Sequence, residues 1–366
     1  MNRKETTVSI CDPIYNCVLN LPLPHLATYE FTLMIFSFSA TPDFDFLTYF
    51  ARQIQAPVHN DLMLIPDHLG QGYIHRLAFG PDFKITIHRY VFKEDLIIKR
   101  NSSGSGNDLI TIFFYNNEQP LGIAYNDDPQ ILFSQRDVSA IQVTSNDLSS
   151  TIRFPSHHQI HYLVVAIKPS QLRELLALSK LNSVLQTITT SGNSFLFFES
   201  MTAETKLLLK NLAAVNMNDS LSNFYMQIKV QELLYLLFHA LSSRESAAHQ
   251  FITSADGERL LMIRDKIISD LSVPPVLREL ARMAAMSETK LKQLFKQTFG
   301  STIYNYYQQA RMQEAAFLLK QGRHSVADVG YELGFSNLSH FSRLFERHYR
   351  LTPKRFSNSQ VSVYPK

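Results

Sequence analysis

Leu280-Ala281-Arg282-Met283-Ala284-Ala285-Met286-Ser287 and Val329-Gly330-Tyr331-Glu332-Leu333-Gly334-Phe335-Ser336 are two versions of one pattern. Each is followed by an amphipathic run: Leu291, Leu294, Phe295 and Phe299 after the first, Phe341, Leu344, Phe345 and Tyr349 after the second. The copies are offset by 49 residues up to the serine and by 50 after it. Apolar residues at i, i+3, i+4 and i+8 mark helices with one buried stripe. Each copy therefore reads as helix, tight turn, helix, an arrangement that sets one helix of each pair into a DNA groove.

Working outward, Glu258 to Leu271 predicts an opening helix, stopped by Ser272-Val273-Pro274-Pro275. Val276 to Met283 is the first helix of copy one, and Ser287 is placed to cap the next by accepting from a free backbone N–H. That second helix leaves Thr289, Lys290, Lys292, Gln293, Lys296 and Gln297 outside. Lysine suits phosphate, glutamine can pair bidentately with adenine, and threonine can meet a thymine methyl. Thr302 to Gln321 predicts a connecting helix ended by Gly322. Twenty residues at about 1.5 Å each span roughly 30 Å, close to the ~34 Å between successive major grooves on one face of a duplex. Arg311 on this connector is counted with the DNA-facing set. In copy two Ser325 caps Val326 to Leu333, and Gly334 supplies a left-handed turn. The helix that follows presents Asn337, Leu338, Ser339, His340, Ser342, Arg343 and Arg347. Arg343 is the candidate guanine contact, and His340 and Arg347 are candidate phosphate contacts.

Charge follows the same division. From Asp256 to Lys366 there are 17 Lys and Arg against 10 Asp and Glu, a net of +7, whereas the rest of the chain is −4. A basic segment joined to a mildly acidic one suits a protein whose C-terminal part faces a polyanion. No apolar run reaches the 18 residues of a membrane span, and no signal-peptide core is present, so a cytoplasmic protein is expected. Cys11 and Cys17 are too few for a disulfide framework and poorly spaced for zinc, and read as reduced thiols. No metal-ligand cluster or nucleophile elbow is evident, so no cofactor, no metal and no catalytic residue is expected.

Toward the N-terminus the texture changes. Residues 1–57 form a proline-interrupted extension, with a short helix possible over Asp45 to Gln55. From 58 to 168 short β-like runs alternate with turn signals, as in FKITIHRYVF at 83–92, which predicts an antiparallel sandwich or barrel. Strict alternation, as in Lys84-Ile85-Thr86-Ile87-His88, predicts one core face and one wet face per strand. From 169 to 245 the pattern is helical. The stripe Phe224, Ile228, Val230, Leu233, Leu234, Leu237 and Ala240 is wide enough to take a partner helix, from this chain or a second subunit. The linker is placed at Ser242 to Ser254, before a DNA-binding domain over 256–357.

The run Gly334-Phe335-Ser336-Asn337-Leu338-Ser339-His340-Phe341-Ser342-Arg343-Leu344-Phe345, with Leu351-Thr352-Pro353-Lys354-Arg355-Phe356, resembles the signature of the AraC/XylS family of bacterial transcription regulators. The resemblance covers about residues 256–357. It implies two helix-turn-helix units that bind double-stranded DNA and a regulator that contacts RNA polymerase. It also implies a cupin-like β-barrel that binds a small-molecule effector, followed by helices that form a homodimer. The fold class expected is thus multidomain, with an antiparallel β N-terminal part, following helices and an all-α double helix-turn-helix. This chain departs from the family's pattern at Ala285, where a glycine is usual, at Gly330, where an alanine is usual, and at Arg350, where a glycine often stands. If the first turn needs a positive φ, Ala285 strains it. His157, His158 and His161 read as surface or strand histidines rather than the metal ligands some cupins carry. The function expected is an activator responding to an effector. The alternatives are a regulator without a ligand, controlled by abundance or a protein partner, and a cupin-type enzyme.

Overall fold

The computed structural model describes residues 33–359, apart from 105–107, 118–120, 124–130, 134–137, 178–180, 217–218 and 245–249. Cys11 and Cys17 lie outside the described residues. The chain divides into two compact units, residues 1–134 with 142–196, and residues 135–141 with 197–366.

The first unit is β-rich. Its elements are β1 (Leu33–Ser39), α1 (Phe46–Gln53), β2 (Val58–His59), β3 (Leu62–Leu64), β4 (Gly70–Ala78), β5 (Phe83–Phe92), β6 (Asp95–Asn101), β7 (Ile110–Tyr115), β8 (Leu121–Ile123), β9 (Ile131–Phe133), β10 (Ile141–Ser145), β11 (Ser150–Phe154), β12 (Ile160–Ile167), α2 (Pro169–Leu176) and α3 (Ser183–Thr189); the strand β13 (Leu196–Glu199) starts on the last residue of this unit, and its other residues fall in the second. An eight-stranded sheet runs β13-β10-β7-β12-β5-β4-β3-β2, a three-stranded sheet runs β1-β6-β11, and β8 pairs with β9. The expected antiparallel character holds for the long pairings β4–β5, β5–β12 and β12–β7. One pair differs: β1 runs parallel to β6, with Leu33 opposite Asp95. That strand and the capped helix α1, where Asp45 accepts from Thr48 N, fall inside the stretch 1–57, upstream of the β-like texture that begins at 58.

The prediction of one wet face per strand fails on β5. Ile85 and Ile87 are buried, but so are Thr86 and His88. The reason is a cavity of about 90 Å³ inside this unit, lined by Phe38, Phe46, Lys84, Thr86, His88 and Tyr162 among others. His88 stacks on Tyr162 with ring centroids 4.1 Å apart, and its Nε2 lies 2.8 Å from Thr86 Oγ1. Burial holds the His88 imidazole neutral, at about 3, because a cation there would lose its hydration. His161 is lowered to about 4, first by burial and then by the Arg89 charge, and its Nδ1 meets Asn116 Nδ2 at 2.9 Å. His157 and His158 are exposed.

The second unit is helical: α4 (Ala203–Ala213), α5 (Ser222–Ser242), α6 (Ser254–Ser269), α7 (Leu277–Met283), α8 (Glu288–Phe299), α9 (Ile303–Gln321), α10 (Val326–Glu332), α11 (Leu338–Tyr349) and α12 (Pro353–Asn358). The broad stripe of α5 resolves into two faces. Met226, Val230, Leu233, Leu234 and Leu237 are buried, while Phe224, Tyr225, Ile228 and Tyr235 are exposed. Around α9 a continuous core gathers Met312, Ala315, Leu319, Val329, Leu333, Phe341, Phe345 and Phe356. At about 1.5–3 kcal/mol per large apolar side chain, this burial outweighs the weak intrinsic preference of seven-residue helices such as α7 and α10.

Candidate nucleic-acid interface

The duplication survives in three dimensions with its offsets intact. The helices α7 and α10 both have seven residues and start 49 apart, and α8 and α11 both have twelve and start 50 apart. The added residue is Ser336, and in copy two Asn337 takes the capping place that Ser287 holds in copy one. Its side chain accepts from Ser339 N and His340 N, as Ser287 accepts from Lys290 N in copy one. Ser325 and Asp328 form a reciprocal capping box at α10.

Each copy uses two left-handed residues, one in its turn and one after its second helix. In copy one these are Ala285 (φ 49°) and Gly300 (φ 71°), and in copy two Gly334 (φ 75°) and Arg350 (φ 59°). The turn of copy one thus does need a positive φ, and Ala285 bears it. A Cβ on Gly334 would lie 2.0 Å from Ser272 O, so glycine is required there by contact as well as by angle. Gly330, where alanine was the usual residue, packs so that an added Cβ would come within 2.6 Å of a Leu338 methyl. Copy two is therefore more tightly closed than its sequence suggests.

Of the fourteen residues singled out, ten are exposed: Thr289, Lys290, Lys292, Gln293 and Lys296 on α8, and Asn337, Ser339, His340, Arg343 and Arg347 on or beside α11. Gln297, Leu338 and Ser342 are partly covered. Arg311 is a correction. It is 5% exposed, its guanidinium sits 3.7 Å from the Phe335 ring centroid and 5.0 Å from that of Tyr307, and Nε donates to Leu333 O at 3.2 Å. It braces the end of α10 against α9 from inside. A guanidinium can be buried this way because its flat faces stack on rings while its edge feeds a helix carbonyl.

The exposed set is not uniformly free. Lys290 pairs with Asp256 at 2.9 Å; burial pushes the Asp256 carboxyl up, but the Lys290 ammonium and the hydrogen bonds with Thr253 outweigh it and hold the group below its ordinary range. Gln293 accepts from Gln250 Nε2 at 2.8 Å. Gln297 accepts from Gln250 N at 2.8 Å and donates to Gln250 O at 2.9 Å. Asp256 and Gln250 escaped the sequence reading because nothing in their own neighbourhood marks them; the partner is more than thirty residues away in each case. Among the described residues no group of three His, Cys, Asp or Glu is placed to hold a metal ion, and no helix is long and apolar enough to cross a membrane.

Comparison with known proteins places the same segment. A helix-turn-helix domain model matches residues 280–359. An uncharacterised HTH-type transcriptional regulator of Haemophilus influenzae is 31% identical over 130 residues, covering 35% of this chain and 42% of that protein. The transcriptional activator RhaR of Escherichia coli O1:K1 is 33% identical over 138 residues, covering 36% and 48%. The chain thus spans less than half the length of these curated relatives. Among solved structures, an AraC-type DNA-binding-domain protein of Chromobacterium violaceum is similar at 26% identity over 30% of this chain and all of that one, with a TM-score of 0.28. ToxT of Vibrio cholerae is similar at 16% identity over 76% and 98%, with a TM-score of 0.29. Residues 280–359, the paired helices and the connector that joins them, match a helix-turn-helix domain and are the part of the chain similar to these HTH-type transcriptional regulators.

Proposed function

We propose that this chain is a sequence-specific DNA-binding transcription regulator, an activator that answers to a small-molecule effector and works in the cytoplasm beside RNA polymerase. The observation that carries it is the paired exposure of α8 and α11. Both present amides, hydroxyls and cations outward, and both are tied to one 19-residue connector. At about 1.5 Å per residue that helix is roughly 28 Å long, which suits two units entering successive major grooves. In this reading a β-rich sensor domain spans 58–168, a helical region 169–245 and a DNA-binding domain 256–357, whereas the two compact units part near residue 196. The name of the RhaR relative supports activation as the direction of control. The cavity of the first unit is where an effector would sit. The exposed row Phe224, Ile228 and Tyr235 on α5 suits a homodimer.

The test is a gel-shift titration on duplexes recovered from a random library. Specific binding should weaken steeply with salt, because each phosphate contact releases a counterion. Equal affinity for selected and scrambled duplexes would overturn the proposal. For the effector, the melting temperature of the full chain across a metabolite panel is the readout. A panel without a shift, together with transcription that follows only the protein's abundance, would favour a regulator without ligand.

A further inference from the structure

The two copies can be compared position by position. With the 50-residue offset of the second helices, Gln293 in copy one corresponds to Arg343 in copy two, and Gln297 to Arg347. Arginine offers only donors. A free glutamine offers a donor pair and an acceptor, which is why it can embrace adenine. Gln293, however, has its amide oxygen engaged by Gln250 Nε2 at 2.8 Å, which leaves its amide N–H groups for another partner.

Gln250 is well anchored for this task. Its backbone N and O are both held by the Gln297 side chain, at 2.8 and 2.9 Å. A backbone N can only donate and a backbone O only accept, so the Gln297 amide has one possible orientation. Two residues on, Ile252 is fully buried, and Thr253 caps α6. On the other side of the same helix end, Arg244 Nη1 donates to Gln297 O at 3.1 Å and Nε pairs with Glu199 at 2.6 Å. The side chain of Gln250 therefore leaves from a backbone fixed to α8 itself.

We infer that Gln250 is a positioning residue for DNA reading: it caps the oxygen of Gln293, so that copy one, like copy two, selects an acceptor edge such as guanine N7 and O6 and disfavours adenine. This rests on the proposal that α8 reads DNA. The two guanines expected, one governed by Gln293 and one by Arg343, should lie about 10 base pairs apart, one helical turn.

The experiment uses the full-length chain and duplexes recovered by selection. Gln293→Ala first identifies the base pair whose preference depends on that residue. At that pair the intact protein should prefer guanine over adenine by about fivefold, the low end for a side-chain–base contact. Gln250→Glu places an acceptor-only carboxylate against Gln293, turns its amide over, and should reverse the preference toward adenine. Gln250→Ala leaves Gln293 with both its donors and its acceptor and should also shift the preference toward adenine. The added negative charge of Gln250→Glu lowers affinity for all sequences alike and so leaves the guanine-to-adenine ratio untouched by itself. The backbone bonds to Gln297 remain in both variants, and far-UV circular dichroism checks that they fold. If Gln293→Ala changes a base preference while neither Gln250 variant does, or if the intact protein prefers adenine there, the inference is wrong and the DNA-binding function stands. If Gln293→Ala changes neither preference nor affinity, α8 is not a reader and the inference falls with it.

Discussion

Gly334 and Ala285 hold the same place in the two copies, and exchanging their side chains should have opposite and unequal effects. Gly334→Ala meets two costs. A left-handed φ is about 1–2 kcal/mol worse for alanine. The new Cβ would also lie 2.0 Å from Ser272 O, a backbone atom that cannot swing aside, and relieving such overpacking costs about 1–3 kcal/mol. Together they remove about 2–5 kcal/mol, a large share of the stability of one folded unit. Ala285→Gly returns the left-handed penalty but gives back about 0.4–1 kcal/mol through a freer unfolded chain, so the gain is about 0.5–1 kcal/mol. The assay is urea unfolding followed by far-UV ellipticity, since most helices lie in the second unit and the chain has no tryptophan. With two units present, the comparison is between midpoints of the helical transition at unchanged slope. Equal midpoints for Gly334→Ala and the parent would refute the contact argument. A loss of stability in Ala285→Gly would refute the strain argument.

Arg311→Ala should destabilise the second unit by about 2–4 kcal/mol, through the lost charged hydrogen bond and ring stacking. Arg311→Lys should recover only part of it in thermal melts, because an ammonium cannot stack as a plane. Arg343→Ala should cost about 1–3 kcal/mol at one base pair, whereas Lys296→Ala should weaken all duplexes alike and reduce the salt slope by about 0.9. An unchanged affinity and base preference for Arg343→Ala in a gel-shift titration would reject that contact. His88 and His161 are held neutral, at about 3 and about 4, against an ordinary 6.5. Below pH 6.5 the unfolded chain takes up protons that the folded first unit refuses. Stability is therefore full above 6.5 and falls as pH drops toward 4, with a limiting slope of about 1.4 kcal/mol per pH unit for each histidine. Denaturant midpoints of the first unit between pH 7.5 and 5 would show it, and a flat profile would contradict it.

Much of the C-terminal unit was legible because its information is local and repeated. The stripe Leu291, Leu294, Phe295 and its counterpart Phe341, Leu344, Phe345 state helix, face and boundary at once, and the caps at Ser287 and Ser325 stand beside what they cap. Asn337 is exposed as expected, but its capping of α11 shows only in the backbone, because a cap one residue further on cannot be told from its neighbour serine in sequence. Arg311 was misread because charge in sequence speaks of surface, and only the approach of Phe335 and Tyr307 from elsewhere in the chain makes an interior place for it. In the first unit the strand pattern gave the class but not the pairing. That β1 should run parallel to β6 depends on a contact some sixty residues away, and the second buried face of β5 depends on a cavity no single strand encodes. The same distance hid Gln250 and Asp256 from the surface they modify.

The left-handed residues also bear on how the two copies could be recombined. Each copy keeps glycine where another segment leans on it, Ser272 on Gly334 and the Arg244 guanidinium on Gly300, and has lost it where the turn opens to solvent, at Ala285 and Arg350. The halves are therefore not interchangeable cassettes. A chimera carrying copy one in both places would set a methyl group against the Ser272 carbonyl, and one carrying copy two in both would crowd an arginine stem onto Arg244. Any rearrangement of this reader, natural or designed, has to carry along the flanking segment that each unit has moulded itself to.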